Sequence, residues 1–575
     1  IAKARAYERL YEDQDTADGM KKALRMAKQR DKEARDIYQS KLIKSEEGNV
    51  LMKDEEILTR WQAYFTRLMN EENPREPRVG TQTENEEEME NITVEEVKRA
   101  LRKMKNGKAV GPDNLPIEAW KCLGEEGTLF LCAKMNQLCQ EEKIPDSWRK
   151  SALIPIYKNK GDIMACGNYR GIKLMSHSMK LFERTVENRL RGLVNISDEQ
   201  FGFMRGRSTT DAIFALRQLQ EKYREGHKDL HSVFIDLEKA YDRVPREELY
   251  WCMRAKDVPE KYIRLVRDMY EECETVVRCV SGTSGPFKVK VGLHQGSALS
   301  PFLFAIVMDT LTDNIRKEAP WSMMFADDVV LCCEENAALE EEVEKWRDAL
   351  EKRGLRVSRS KTEYMCMIGT REGVMLQDQQ MPEVTEFKYL GSVLQTEGGV
   401  EAEVNRRVQA GWNNWRKMSG VMCDRKVPIR VKGKIHQTVV QPAMLYGLET
   451  VPLTKKQVQK LEVAEMKMCR WASGVSLRDR VRNETVRGRL GVVNIGVRCR
   501  KARLRWYGHV KRREETYVGQ RMLNLEPQGR RRRGRPKHRW MDNIRADMLS
   551  VGAREEDVED RATWKTFVSA AATPY

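Results

Sequence analysis

Two apolar runs, Met323-Met324 and Val329-Val330-Leu331, enclose the string Phe325-Ala326-Asp327-Asp328. Apolar segments meeting across so few residues predict an antiparallel hairpin with the aspartates at its turn. Adjacent carboxylates raise one another's pKa unless a cation sits with them, which makes this turn a candidate cation site. Further upstream, the run from Ser232 to Leu237 alternates polar and apolar residues, and Phe234-Ile235-Asp236-Leu237-Glu238-Lys239-Ala240-Tyr241-Asp242 puts Asp236 at a strand's C-terminal end. Plainer readings exist for both motifs. An aspartate such as Asp236 also caps helices, and an aromatic-x-Asp-Asp string arises by chance in long chains.

A third segment, Gly292-Leu293-His294-Gln295-Gly296-Ser297-Ala298-Leu299-Ser300-Pro301, is a small-residue loop leading into an apolar helix, with Ser300 as cap and Pro301 in the first turn. Its glycines would let backbone approach a flat ligand closely; a plain helix start is the competing reading. Hard oxygen ligands on strand ends suit Mg²⁺, with Mn²⁺ in its place at need, and two such ions can drive nucleotidyl transfer without a histidine or serine nucleophile.

Around these motifs the chain reads as α+β. Residues 1 to about 72 are rich in Lys, Glu, Arg and Ala, with Ile57, Trp61, Tyr64, Phe65 and Leu68 at helical spacing, which predicts an amphipathic helical region. The acidic stretch from Gly80 to Asn91 reads as a solvated linker. Thr93 with Glu96 forms a capping box ahead of the stripe Val94, Val97, Leu101 and Met104, ending near Gly107. Pro245 is placed to open a helix through Cys252, and Leu339, Val343, Trp346 and Leu350 make another helix closed by Gly354. Past about Gly399 the pattern is mostly helical, and no internal repeat is present.

Lys and Arg number 103 against 87 Asp and Glu, a net charge of +16. Between Arg498 and Trp540 stand 16 basic and 3 acidic residues, so +13 of the total lies in one C-terminal stretch. There Arg505, Arg530, Arg531, Arg532, Arg533 and Arg535 stand among Trp506, Tyr507, Tyr517 and Trp540, a mixture of cations and aromatics that can meet phosphates and stack on bases. The string Arg530 to Lys537 also has the form of an AT-hook, a nuclear localisation signal, or simply solvated charge. Thirteen cysteines and 7 histidines show no disulfide framework or zinc spacing. Cys469, Cys499 and His509 are too far apart for a zinc finger. A reducing intracellular setting, nuclear as well as cytoplasmic, is expected. No run approaches a membrane span, so no membrane is expected as partner. The start at Ile1 is expected to mark a piece of a longer translation product.

Taken in order, the three acidic and glycine segments resemble motifs A, B and C of reverse transcriptases, specifically those of non-LTR, RTE-like retrotransposons. Lys105 to Asp113, Gly167-Asn168-Tyr169-Arg170-Gly171-Ile172, Gln200-Phe201-Gly202-Phe203, Gly354 to Glu363 and Phe387-Lys388-Tyr389-Leu390-Gly391 extend the likeness over roughly residues 93 to 395. Ser358, where asparagine is usual, and Arg205, where proline is usual, depart from it.

The resemblance implies a right-hand polymerase. Residues 1–92 would be a helical extension and linker, 93–230 fingers, 231–395 a palm with an antiparallel sheet, 396–480 a helical thumb, and 481–575 a basic nucleic-acid-binding region. Asp236 and Asp327 would ligate two Mg²⁺ ions with Asp328 in support. Arg170 would contact the incoming triphosphate, Tyr241 would screen the sugar 2′ position, and Gln295 and Gly296 would line the nucleotide pocket. Lys361 would protonate pyrophosphate, and Tyr389, Leu390 and Gly391 would hold the primer end. The implied partners are template RNA, primer or target DNA and dNTPs, with priming from a nicked target by an endonuclease encoded upstream of Ile1. Two rivals are a host-retained, non-catalytic nucleic-acid-binding descendant, which the intact aspartates disfavour, and an RNA-dependent RNA polymerase, which Tyr241 disfavours. Oligomeric state is not readable.

Overall fold

The computed structural model describes residues 42–571, apart from residues 81, 370–372, 527–528 and 530–535. A small hairpin, β1 (Ile43–Lys44) with β2 (Val50–Leu51), precedes α1 (Asp54–Leu68), so this stretch is not helical throughout. The helical stripe holds: Ile57, Trp61, Phe65 and Leu68 are buried. They share a core with Leu153, Tyr169 and Val277, so α1 is packed onto the sheet that follows rather than standing apart. The acidic stretch around residues 82–91 is irregular and mostly exposed. α2 (Val94–Lys103) begins with the expected capping box between Thr93 and Glu96.

The first sheet has the order β4 (Tyr169–Leu174), β3 (Lys150–Tyr157), β6 (Glu274–Cys279), with two-residue strands at Gly282–Thr283 and Phe287–Lys288 on its far side. β3 runs antiparallel to β4 and parallel to β6, opposing Arg170 to Ile156. Between β4 and β6 lie α3 (His177–Leu193), α4 (Thr209–Gly226), β5 (Leu230–Ile235) and α5 (Arg246–Ala255). Pro245 is the residue before α5 rather than its first.

The second sheet is antiparallel and four-stranded: β9 (Glu363–Ile368), β5, β8 (Asp328–Cys333), β7 (Ser322–Phe325). All six residues of β5 are buried despite their alternating polarity. The reason is position: β5 is internal to the sheet and covered on both faces. Its polar side chains are satisfied inside, His231 Nδ1 pairing with the Tyr364 hydroxyl at 2.7 Å and Ser232 Oγ with Cys332 Sγ at 3.1 Å. On one face Val233, Ile235, Val329 and Leu331 join the largest core, with α6 (Ser300–Leu311) and α7 (Asn336–Glu351). On the other, Phe234, Val330 and Met323 meet α4 and the hairpin β10 (Glu386–Tyr389) to β11 (Ser392–Gln395). The hydroxyl that caps α6 belongs to Ser297, which accepts the N–H groups of Leu299 and Ser300, and not to Ser300.

Beyond β11 the described chain is helical and builds a separate core, with α8 (Glu401–Lys417) and α9 (Lys455–Ser473). The described part of the basic C-terminal stretch packs into the fold. Helices α10 (Ile495–Lys511), α11 (Trp540–Val551) and α12 (Arg561–Ala570) enclose a core of their own that includes Phe214 of α4. Tyr507 and Trp540, read as base-stacking aromatics, are 1% and 0% exposed, and Arg503 is buried in a pair with Asp547. Amphipathic packing of α10, with its apolar stripe inward, removes them from any ligand. Arg530 to Arg533 and Arg535 lie outside the described residues. No helix among the described residues is long and apolar enough to cross a membrane.

The junction is also where the fold holds a carboxyl against its preference. Glu221 of α4 accepts the Trp540 backbone N–H at 2.9 Å, and burial pushes its carboxyl up to about 7. An acid whose folded pKa is raised has its charged form disfavoured, so this site loses stability as pH climbs from roughly 4.5 through 7. Glu221→Gln keeps an acceptor for Trp540 and cannot ionise. Denaturation midpoints at about pH 5 and pH 8 should show the variant gaining about 2–3 kcal/mol over the parent at the higher pH and little at the lower.

Candidate active site

Asp236 follows β5 directly, and Asp328 begins β8. Ile235 pairs with Val329, so one further step of the antiparallel register sets Asp236 opposite Asp328, a cross-strand separation of about 5 Å between α-carbons. Asp327 occupies the two-residue turn between β7 and β8, after Ala326, which has a left-handed φ of +59°. The predicted hairpin is therefore present, and the fold brings all three aspartates to one end of the two central strands.

Their electrostatics show the crowding. Burial, followed by the charge of Asp236, raises the Asp327 carboxyl, while Arg170 and Lys361 oppose the rise. Asp328 reaches solvent, yet the protein around its carboxylate, then Asp327 and Asp236, push it up to about 6. Lys361 donates from Nζ to Asp236 Oδ2 at 2.9 Å. Asp236 is pinned through its backbone, whose N–H donates to Thr362 Oγ1 at 3.3 Å and whose carbonyl accepts the Ser358 N–H at 2.8 Å. The second bond uses only the main chain of Ser358, so serine in place of asparagine costs nothing there.

Among the described residues no three His, Cys, Asp or Glu side chains stand close enough to hold one ion together. The donor chemistry nevertheless fits a hard divalent cation: clustered oxygens on strand ends that repel one another, with a lysine ammonium already drawn to one of them. In this structure one oxygen of Asp236 is taken by Lys361.

The turn itself is held by a residue to which the sequence reading gave no role. Gln200, fully buried, accepts through Oε1 the N–H groups of Ala326 at 3.1 Å and Gly202 at 2.9 Å. The next residue, Phe201, donates its N–H to the Met324 carbonyl, and a Cβ on Gly202 would lie 2.4 Å from Ala326 N. The Gln200–Phe203 stretch thus forms a backing plate for the Asp327 turn.

Tyr241 is stacked on Phe304, ring centres 4.4 Å apart and planes 20° from parallel, and its buried hydroxyl has no hydrogen-bond partner. The loop at 292–296 is sewn to two segments. Leu293 donates its N–H to the Tyr241 carbonyl, and Lys173 of β4 donates its own to the Gln295 carbonyl at 2.8 Å. Gly296 is exposed with φ +111°, and a Cβ there would come within 2.7 Å of the Lys173 carbonyl. The Gln295 amide donates at 2.9 Å to both oxygens of Asp242, so its N–H groups are already committed. Asp242, also not singled out from the sequence, is buried, and burial pushes its carboxyl up to about 6 against the pull of Lys173 and Lys239. Arg170 stands exposed on β4, with no hydrogen bond or ion pair among the described residues, and its charge is felt by both Asp327 and Asp328.

Tyr389, Leu390 and Gly391 form the β10–β11 turn, with φ of +46° at Leu390 and +87° at Gly391, the primed geometry that fits a twisted hairpin. The Tyr389 ring is 2% exposed and packs on Phe234, so any contact with a ligand falls to Leu390 and Gly391. Arg505 is exposed on α10 and Trp506 half-buried.

Residues 156–394 match the family model for the reverse transcriptase (RNA-dependent DNA polymerase). The chain carries a reverse transcriptase domain. The matched span takes in Arg170, both aspartate-bearing strand ends, the 292–301 loop and the Tyr389–Gly391 turn, while Lys105 to Asp113 lies ahead of it. Relatives of the reverse transcriptase domain are retrotransposon proteins. The probable RNA-directed DNA polymerase from transposon BS of Drosophila melanogaster is 26% identical over 380 residues, 62% of this chain and 42% of that one. The RNA-directed DNA polymerase from mobile element jockey of the same fly is 24% identical over 404 residues, 67% and 44%. A retrovirus-related Pol polyprotein from the type-1 retrotransposable element R2 of Nasonia vitripennis is 23% identical over 321 residues, 52% and 30%. The chain therefore spans less than half the length of each of these relatives.

Proposed function

We propose that this chain is an RNA-directed DNA polymerase that copies retrotransposon RNA by template-directed extension of a DNA 3′ end. The observation that supports this best is the placement of Asp236, Asp327 and Asp328 at one end of the two central strands, under the field of an exposed Arg170 side chain. Asp236 and Asp327 would hold two divalent ions, Mg²⁺ by preference, with Asp328 in support. Bound there, such ions activate a primer hydroxyl and neutralise charge on the transferred phosphate.

The chain's own groups do the positioning. Arg170 offers a planar guanidinium to the triphosphate. Gly296 presents bare backbone beside the nucleotide, and Gln295, tied to Asp242, keeps that loop in place. Lys361, within reach of Asp236, is placed to hand a proton to departing pyrophosphate. Leu390 and Gly391 would hold the primer end. In this reading residues 93–230 act as fingers, with α1 packed behind their sheet, 231–395 as palm, 396–480 as thumb and 481–575 as a nucleic-acid-binding unit. Priming at a nicked chromosomal target belongs to the same proposal.

The test is primer extension on an RNA template with Mg²⁺, comparing dNTPs with NTPs. Synthesis confined to dNTPs is expected; no synthesis at all would favour a non-catalytic nucleic-acid-binding protein. Sugar selection should reside in Tyr241, whose ring would screen the sugar 2′ position. Tyr241→Val is expected to narrow the preference for dNTPs over NTPs at least roughly tenfold, the scale of a single steric contact. An unchanged ratio of kcat/KM values would remove Tyr241 from that role.

A further inference from the structure

Between the start of α4, the segment 442–449, α10 and α12 lies a cleft of about 990 Å³. Seven arginine and lysine side chains line it, against two carboxylates, those of Asp211 and Glu449. Asp211 is spent on the Ser208 N–H and hydroxyl and on Tyr517, and Glu449 hydrogen-bonds Thr210 at 3.4 Å. The side chains of Lys501, Arg505, Arg561 and Lys565 form no hydrogen bond or ion pair with any described residue, and only Arg505 is near enough to a cleft carboxylate, Glu449, to act on its charge. Four unneutralised cations on one concave wall repel each other and raise the local potential, an arrangement that favours a polyanion over solvent.

Two contacts tie this cleft to the polymerase site. The Tyr446 hydroxyl on its wall donates to the Leu390 carbonyl at 2.7 Å and accepts from the Thr209 hydroxyl at 2.9 Å. Arg513 donates to the carbonyl of Gly206 at 2.7 Å, a few residues beyond the Gln200–Phe203 stretch that backs the Asp327 turn. Tyr446, 36% exposed, and the half-buried Trp506 add aromatic surface to the cationic wall, the pairing by which single strands are gripped without sequence readout. A space of about 990 Å³ is that of a large small-molecule pocket. A space of that size accommodates a few nucleotides of one strand.

We infer that this cleft holds the unpaired stretch of the RNA template by its sugar-phosphate backbone. The inference rests on the polymerase reading above, because during templated extension the template is the strand that runs unpaired beside the site.

The full chain with Lys501→Gln, Arg505→Gln, Arg561→Gln and Lys565→Gln combined should bind a single-stranded RNA oligonucleotide at least roughly tenfold more weakly at physiological ionic strength. The slope of log affinity against log salt should flatten by about 2 to 3, some 0.7 for each lost phosphate contact. None of the four side chains is hydrogen-bonded or ion-paired, so melting should be little changed; should it fall, Lys565→Gln alone, with a slope change of about 0.7, takes its place. In a primer–template hybrid, 4-thiouridine in the template overhang should photocrosslink to the segment 501–513. Unaltered affinity and slope, or crosslinks arising only from the paired region, would overturn the inference. Both readouts are taken without dNTPs, so a chain that fails to polymerise still decides the question.

Discussion

Asp327→Ala should abolish dNTP incorporation, with a loss on the order of 10³-fold or more, the cost of removing a ligand on which charge stabilisation at the transferred phosphate depends. The fold should survive. The turn that carries Asp327 is fastened through main chain, by the β7–β8 ladder and by the Gln200 amide on Ala326, and neither uses the Asp327 side chain. Removing one of three mutually repelling carboxylates should leave stability level or raise it by about 1 kcal/mol. Primer extension alongside thermal melting reads both effects, and Asp327→Asn, which keeps the side chain's size, repeats the measurement. Incorporation that persists in a folded variant would sink the assignment of this turn as the metal site.

Gly202→Ala should cost nearly as much without touching any carboxylate. The added methyl would stand 2.4 Å from Ala326 N and 2.9 Å from the Phe325 carbonyl carbon, both backbone atoms of the turn. Something must shift, and the turn, exposed to the site on its other side, is what can move. A displacement of about 1 Å at a reacting centre is enough to lower kcat roughly 10²-fold. Gln200→Ala, which removes the acceptor for the Ala326 N–H, should act in the same direction. The signature is a fall in kcat with nucleotide KM little changed. A fall in KM-dependent binding alone, with kcat intact, would instead mean that Gly202 serves the nucleotide pocket and not the turn.

Much of the site was legible before any coordinates because local chemistry wrote it. Acidic residues between two short apolar runs favour a turn, and a strand that ends in aspartate delivers that aspartate to the end of the sheet. The capping box at Thr93 and the stripes of α1 and α7 are local in the same way, and each is present. Gln200 was in view as part of a motif, yet its partner Ala326 is 126 residues away. Asp242 likewise gave no sign that it would receive the Gln295 amide. The C-terminal stretch misled for the converse reason: its charge dominated the composition, while its aromatics were spaced for a helix face that only a partner helix could bury.

The sequence by itself determined the chemistry of this protein: which side chains carry charge, where strands and turns must end, and which family the order of motifs resembles. Tertiary structure alone decided which of those groups meet. Antiparallel register set Asp236 opposite Asp328, α4 drew the basic helices into a core, and their remaining cations were left lining a cleft. Secondary structure follows from neighbours within a few residues, whereas contact across hundreds of residues depends on how whole faces pack, and that is not encoded at any one position.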